Sequence, residues 1–156
     1  MSDRIVLLRQ GRIAQVGTAR DLYDRPASRY VADFIGETNL MAGVVVKGGP
    51  GPVTLRVGTE EVQGQSDVAV APGSPAWLSV RPEAVRIDLG GTRSPVANAI
   101  EGTVADAVYS GALIRVHVSL SGDRSIIAQV PAGTAVSVGE PARVSWSPER
   151  ARCVTD

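Results

Sequence analysis

From residue 37 onward, glycine and proline cut this chain into apolar runs that suit strands and are too short for packed helices. The breakers fall at Gly48-Gly49-Pro50-Gly51-Pro52, at Pro72-Gly73-Ser74-Pro75, and along Pro131, Gly133, Gly139 and Pro141. Strand candidates stand between them at 40–47, 53–57, 61–65, 68–71, 76–81, 84–87, 100–109, 112–120, 125–130 and 142–146. The clearest pair flanks Ser110-Gly111. In its second arm Ile114, Val116, Val118 and Leu120 alternate with polar residues, the pattern of a strand with one face in a core. Residues 88–98, with Gly90, Gly91, Ser94 and Pro95, read as an exposed loop. Aromatic residues are 4% of the chain, so Val, Ile, Leu and Ala must build the core. Valine predominates in the second half, which favours strands. These features imply a mainly β fold, a small barrel or sandwich. No internal repeat stands out.

The first 36 residues read differently. Two apolar runs, 5–8 and 13–16, flank Arg9-Gln10-Gly11-Arg12, which fits a short β-hairpin turning at Gly11. Thr18 stands three residues before Asp21, a capping-box start for a short helix that Pro26 ends. Tyr30, Val31, Phe34 and Ile35 form one apolar stripe of a second short helix, with Gly36 placed for its C-terminal cap. The expected organisation is therefore a hairpin with two short helices over 1–36 and a β domain over 37–156.

Composition excludes several functions. The formal net charge is zero and the basic residues are spread out, so no nucleic-acid footprint is present. Two Trp, three Tyr and one Phe, scattered along a neutral chain, do not make a stacking platform for single strands. Cys153 is the single cysteine, which excludes an intrachain disulfide and suits a reducing compartment. No apolar run approaches the roughly 20 residues of a membrane span, and the N-terminus lacks signal-peptide character. The expected location is cytoplasmic.

No catalytic or metal constellation is legible. His117 shares a strand face with Arg115, opposite Ile114, Val116 and Val118, and reads as a solvated strand histidine without a second ligand nearby. Cys153 reads as an incidental thiol. The 48–52 cluster reads as a plain turn, because its two prolines remove amide donors. Two candidates for contact remain. Arg81-Pro82-Glu83 sets a guanidinium and a carboxylate around a rigid φ, which suits a local ion pair or a contact between domains. Tyr109-Ser110-Gly111 closes a hairpin of the kind that can border a ligand pocket. Tyr30 and Phe34 are candidate interface residues on the apolar stripe.

The run Ser2-Asp3-Arg4-Ile5, Gly11-Arg12-Ile13, Gln15, Gly17-Thr18, Leu22-Tyr23, Pro26 and Phe34-Ile35-Gly36 resembles the C-terminal part of the ATP-binding subunit of ABC importers for sugars, polyamines, iron or sulfate. Ser79-Val80-Arg81-Pro82-Glu83 is similar to the R-P-E motif of that family's TOBE extension. Gly102-Thr103-Val104, Val108 through Gly111, and Val144 with Ser147-Pro148-Glu149 are similar to its later strands and closing turn. Glu37-Thr38-Asn39-Leu40 looks closest to polyamine-type importers. The resemblance implies an OB-fold-like TOBE barrel with extra strands, preceded by a remnant of the nucleotide-binding domain.

An ATPase of that family needs Gly-Lys-Ser/Thr in a P-loop. The only lysine, Lys47, lies between Val46 and Gly48, and the LSGGQ-type signature, the Walker B pair and the switch histidine have no counterpart here. The chain is therefore expected to be non-catalytic, with no cofactor of its own, ATP and magnesium being implied for the parent. The first functional reading is a regulatory and dimerisation module, peripheral on the inner face of the membrane, with a second copy and membrane permease subunits as partners. The alternative is a stand-alone module for a small ligand, an oxyanion or the solute. Without a catalytic core, the apolar residues of the first segment (Ile5, Val6, Leu7, Tyr30, Val31, Phe34 and Ile35) are expected to seek burial against a second chain.

Overall fold

The computed structural model describes residues 3–89 and 98–156; most of the loop expected at 88–98 lies outside the described residues. Strands β1 (Ile5–Arg9) and β2 (Arg12–Gly17) form the first hairpin. Its turn residues Gln10 and Gly11 both have positive φ, 51° and 77°, the geometry that matches the twist of the flanking strands. Helix α1 (Ala19–Asp24) starts at a full capping box: Thr18 Oγ1 accepts from Asp21 N at 3.1 Å, and Asp21 Oδ2 accepts from Thr18 N at 3.0 Å. Helix α2 (Arg29–Ile35) starts at Ser28, whose hydroxyl accepts from Val31 N at 3.3 Å.

Gly36 stands at the C-cap of α2 as expected, but with φ 178° it is extended and forms no left-handed cap. The terminal carbonyls are met instead by a distant guanidinium, described below. The apolar stripe also rotates. Val31 and Ala32 are buried, Tyr30 and Ile35 half-buried, and Phe34 is 63% exposed. Leu7, Leu22 and Val31 form a small core of their own within the chain, so Leu7 and Val31 need no second copy for burial.

Among the described residues the β part contains ten strands, β3 (Asn39–Lys47), β4 (Gly51–Val57), β5 (Glu60–Ser66), β6 (Pro75–Val80), β7 (Arg86–Leu89), β8 (Ile100–Ser110), β9 (Leu113–Ser119), β10 (Ser125–Pro131), β11 (Pro141–Ser145) and β12 (Ala151–Val154). One sheet closes into a barrel in the order β12-β5-β4-β3-β6, and the other, β10-β9-β8-β11-β7, is a half-barrel. A continuous apolar core joins them, including the alternating Ile114, Val116 and Val118. The fold is mainly β, as the punctuation implies. The strand expected at 68–71 is absent. Its backbone is diverted by Ser66 Oγ, which donates to Val68 O at 2.7 Å, and by Gly73 N, which donates to Val45 O at 2.8 Å. Strand β12, not anticipated, supplies the last stave of the closed barrel.

The two sheets are copies of one plan, which corrects the absence of a repeat. In each, a first strand pairs with a second and a fourth, and the second pairs with a third. Register aligns Asn39 with Asn98, Gly43 with Gly102, Val45 with Val104, Ser79 with Ser145 and Pro82-Glu83 with Pro148-Glu149. The first strand of each copy is bulged at the same place, after Val45 and after Val104. Gly43 and Gly102 are equivalent in contact too. A Cβ on Gly43 would lie 2.6 Å from Arg56 O, and one on Gly102 would lie 2.6 Å from Ser119 O. Each copy ends in a one-turn helix, Pro82–Ala84 or Pro148–Arg150, and sends the next strand to the other copy: β7 pairs with β11, and β12 pairs with β6 and β5.

Asparagine side chains fasten this exchange. Asn39 Nδ2 donates to Ile127 O at 2.8 Å, and Ile127 N donates to Asn39 Oδ1 at 2.8 Å. Asn98 Nδ2 donates to Gln63 O at 3.0 Å, and Gln63 N donates to Asn98 Oδ1 at 2.7 Å. Gln63 and Ile127 hold matching positions in β5 and β10. Each buried carboxamide thus mimics a strand peptide on the edge of the other copy, meeting a donor and an acceptor that would otherwise be unpaired.

Candidate functional site

The first segment meets the β part around Arg81. This residue follows β6 immediately, and Pro82 fixes the turn after it. Its side chain is buried, 7% exposed, and it caps both short helices from outside. Nη1 donates to Ala32 O at 3.1 Å, Gly36 O at 2.9 Å and Glu37 O at 3.1 Å, while Nη2 donates to Tyr23 O at 3.1 Å. Carbonyls at helix C-termini lack internal partners and carry partial negative charge, so a fixed guanidinium suits them better than a neutral donor. Arg81 also lies over the Tyr23 ring, 4.2 Å from its centroid. Burial pulls the guanidinium's pKa down from its ordinary value.

Glu83 completes the clamp without pairing to Arg81. Its carboxylate accepts a short hydrogen bond from the Tyr23 hydroxyl. Burial first, then this hydrogen bond and the charge of Glu83, push the Tyr23 phenol up to about 12. The motif Arg81-Pro82-Glu83 therefore grips one aromatic residue from two sides, guanidinium on the ring and carboxylate on the hydroxyl. Further contacts run in parallel. Glu37 pairs with Arg115, Arg29 N donates to Thr155 O at 2.9 Å, and the Arg29 guanidinium covers the Trp77 ring at 4.6 Å.

The other residues singled out in the sequence lie elsewhere. Tyr30 donates from its hydroxyl to Leu8 O at 3.1 Å and stacks on Phe34 with centroids 5.7 Å apart, binding α2 to β1. Tyr109 is 66% exposed near the end of β8, and Gly111 occupies the turn beyond it with φ 61°. Neither lines the cleft beside Arg81. Cys153 sits in β12, where burial pushes its thiol up and disfavours the reactive thiolate. His117 is half-buried on β9. Sequence reasoning passed over Tyr23, Asn39 and Asn98. The asparagines had a signal, the spacing Asn-x-x-x-Gly-x-Val shared by 39–45 and 98–104.

One face of the first hairpin remains open. Val6 pairs with Val16 and Leu8 with Ile13 across the strands, and these four side chains are between 41% and 64% exposed. Phe34 adds to the exposed apolar residues of the same segment. Among the described residues no helix is long and apolar enough to cross a membrane.

Comparison with known proteins fits this architecture. A family model described as the TOBE domain matches residues 78–154, the stretch from the end of β6 through β12. The chain carries a TOBE domain. It is homologous to the C-terminal region of spermidine/putrescine ABC-importer ATP-binding proteins. The protein named PotA in Ruegeria pomeroyi is 33% identical over 160 residues, covering 100% of this chain and 42% of the relative. PotA 1 of Pseudomonas aeruginosa is 34% identical over 159 residues, again covering 100% of this chain and 42% of the relative. The PotA of Mesorhizobium japonicum is 38% identical over 134 residues, covering 83% and 34%. The chain thus spans well under half of these relatives and does not cover their catalytic domain. Among solved structures, the cytoplasmic molybdate-binding protein ModG superposes with a TM-score of 0.67 at 18% identity, covering 76% of this chain and 96% of ModG. That likeness shows a shared TOBE fold.

Proposed function

We propose that this chain is the regulatory and dimerisation part of the ATP-binding subunit of an ABC import transporter, of the polyamine type. The observation that carries this reading is the extent of the homology. The alignment runs through the hairpin-helix segment and the TOBE domain together, and Arg81 ties those two parts in this chain. The TOBE domain supplies a rigid platform, and the clamp transmits its position to α1 and α2. The larger protein would hold ATP and magnesium in its catalytic core, sit on the inner face of the membrane, and act on permease subunits.

The partner for the open hairpin face is a second copy of the chain. Val6, Leu8, Ile13 and Val16 present an apolar sheet face that pairing would cover. Size-exclusion chromatography with light scattering tests the claim. The expected mass is that of a dimer at high concentration, with Val6→Ser/Leu8→Ser returning the monomer. A monomer at every concentration would overturn the dimer reading.

A further inference from the structure

The closed barrel and the half-barrel differ at one seam. In the first copy β12 pairs with β5 in parallel, at Arg152 and Gln65, and completes the ring. Arg152 also pairs with Asp67, just beyond the end of β5, at 2.9 Å. The counterparts in the second copy are Arg86, opposite Ser145 of β11, and Gln129, two residues beyond Ile127 in β10. Among the described residues no ladder joins β7 to β10. Side-chain volume accounts for the difference. A Cβ on Gly64 would lie 2.9 Å from Ala151 O and 2.5 Å from Leu78 Cδ1, so β12 can come up against β5 only beside a glycine. In the second copy Ala128 and Val144 stand at the places of Gly64 and Leu78. Ala128 carries the methyl group that Gly64 must lack, and its sheet stays open.

Beyond the seam, β12 runs on to α2. Val154 stands opposite Trp77 in β6, and the next residue, Thr155, accepts at 2.9 Å from Arg29 N. That N–H belongs to the first turn of α2 and has no acceptor inside the helix. The Arg29 side chain turns back over the Trp77 ring at 4.6 Å and lies 4.0 Å from Asp156. The other end of α2 is held by Arg81, which follows β6. Extended chain from Trp77 to Arg81 spans about 13 Å and α2 about 10 Å, so the helix fits along β6. It is fastened to β6 at one end through Arg81 and to β12 at the other through Thr155.

We propose that the seam and this latch form one coupled element: β12 seated on β5 holds the first turn of α2, and docked α2 holds β12 in the ring. Loss of either contact returns the first copy toward the open plan of the second. The proposal is independent of the dimer and of the transport role. Gly64→Ala/Leu78→Val tests it by giving the first copy the residues of the second, at nearly constant side-chain volume. Labelling of Cys153, the single cysteine, reads the release of β12. Exchange of the Arg29 amide and acrylamide quenching of Trp77 read the release of α2, with Trp146, 2% exposed, as the internal reference. The expected result is roughly fivefold faster Cys153 labelling and Arg29 exchange, with Trp77 more quenchable and the amides of β9 unchanged. From the other side, Arg29→Gln touches neither β5 nor the seam, and it should speed Cys153 labelling roughly threefold. Unchanged Cys153 labelling in Arg29→Gln, or an unchanged Arg29 amide in the seam variant, overturns the coupling. Acceleration that extends equally to β9 overturns it too, because the whole chain is then unfolding.

Discussion

The two β copies share their framework and differ at their ends. Bulge, close-contact glycine and edge-capping asparagine recur at matched positions, with the same partners across the exchange. After β6 and β11 the copies diverge. The first continues Arg81-Pro82-Glu83-Ala84, the second Ser147-Pro148-Glu149-Arg150. Proline and glutamate keep the turn; the flanking residues decide what it does. Arg81 reaches out to three carbonyls of the first segment and to that of Glu37 just after it, while the Ser147 hydroxyl bonds only the nearby Glu149. Repeated positions hold the fold, and divergent positions carry the contacts made beyond it. One copy closes into a barrel and its counterpart stays a half-barrel, so the symmetry is of pairing plan and not of outline.

The largest expected effect separates Arg81 from Ser147. Arg81→Ala leaves four carbonyls without a donor, and each buried orphan costs about 1–3 kcal/mol, though water reaches some of them once the helices loosen. The expected loss for docking of the first segment is about 3 kcal/mol or more, so trypsin cleavage at Arg20 and Arg29 should accelerate roughly a hundredfold while the β part stays protected. Ser147→Ala removes one exposed hydrogen bond and should cost no more than about 1 kcal/mol. Equal effects at the two positions would break the division of labour.

Next come the positions where the copies should behave alike. Asn39→Leu orphans the Ile127 N–H and C=O, and Asn98→Leu orphans those of Gln63, each at about 2–4 kcal/mol of urea-measured stability. Gly43→Ala and Gly102→Ala each drive a methyl against a strand carbonyl, for about 1–3 kcal/mol. A large loss in one copy with none in the other would show that the half-barrel tolerates what the closed barrel does not.

These predictions rest on features of unequal legibility. The strands of the second copy could be read because Ile114, Val116 and Val118 alternate with polar residues between strong breakers. The hairpin and capping box of the first segment were equally local. The repeat was obscure, because its conserved positions are scattered among residues free to vary, and the exchange of β7 and β12 is a long-range pairing. Strand β12 holds Arg152 and Cys153 between its buried ends, a pattern too short and mixed to announce itself. The Arg81 motif was visible as a motif, but its target was not. Nothing near residue 81 says that its guanidinium ends a helix 45 residues earlier. Gly36 did signal the helix end, but its extended backbone makes no left-handed cap, so that end needed an outside donor.

The smallest effect tests the chemistry of the clamp itself. Tyr23→Phe removes the hydroxyl that donates to Glu83 and keeps the ring under Arg81, so its cost near neutral pH should be about 1 kcal/mol. Its pH dependence is more telling. The Tyr23 phenol is pushed up to about 12 from an ordinary value of 10.0, so folding favours the protonated form. Stability from this group is therefore complete below about pH 10 and is lost as pH rises through the folded value of about 12. Absorbance titration should show a tyrosinate phase near 12 that Tyr23→Phe abolishes and Glu83→Gln brings down, since the carboxylate both accepts the proton's hydrogen bond and repels the phenolate. The second copy has no counterpart, its Glu149 being bonded to a serine that does not titrate. Ser147→Ala should leave that phase in place, and a shift there would mean that the two turns are coupled across the fold.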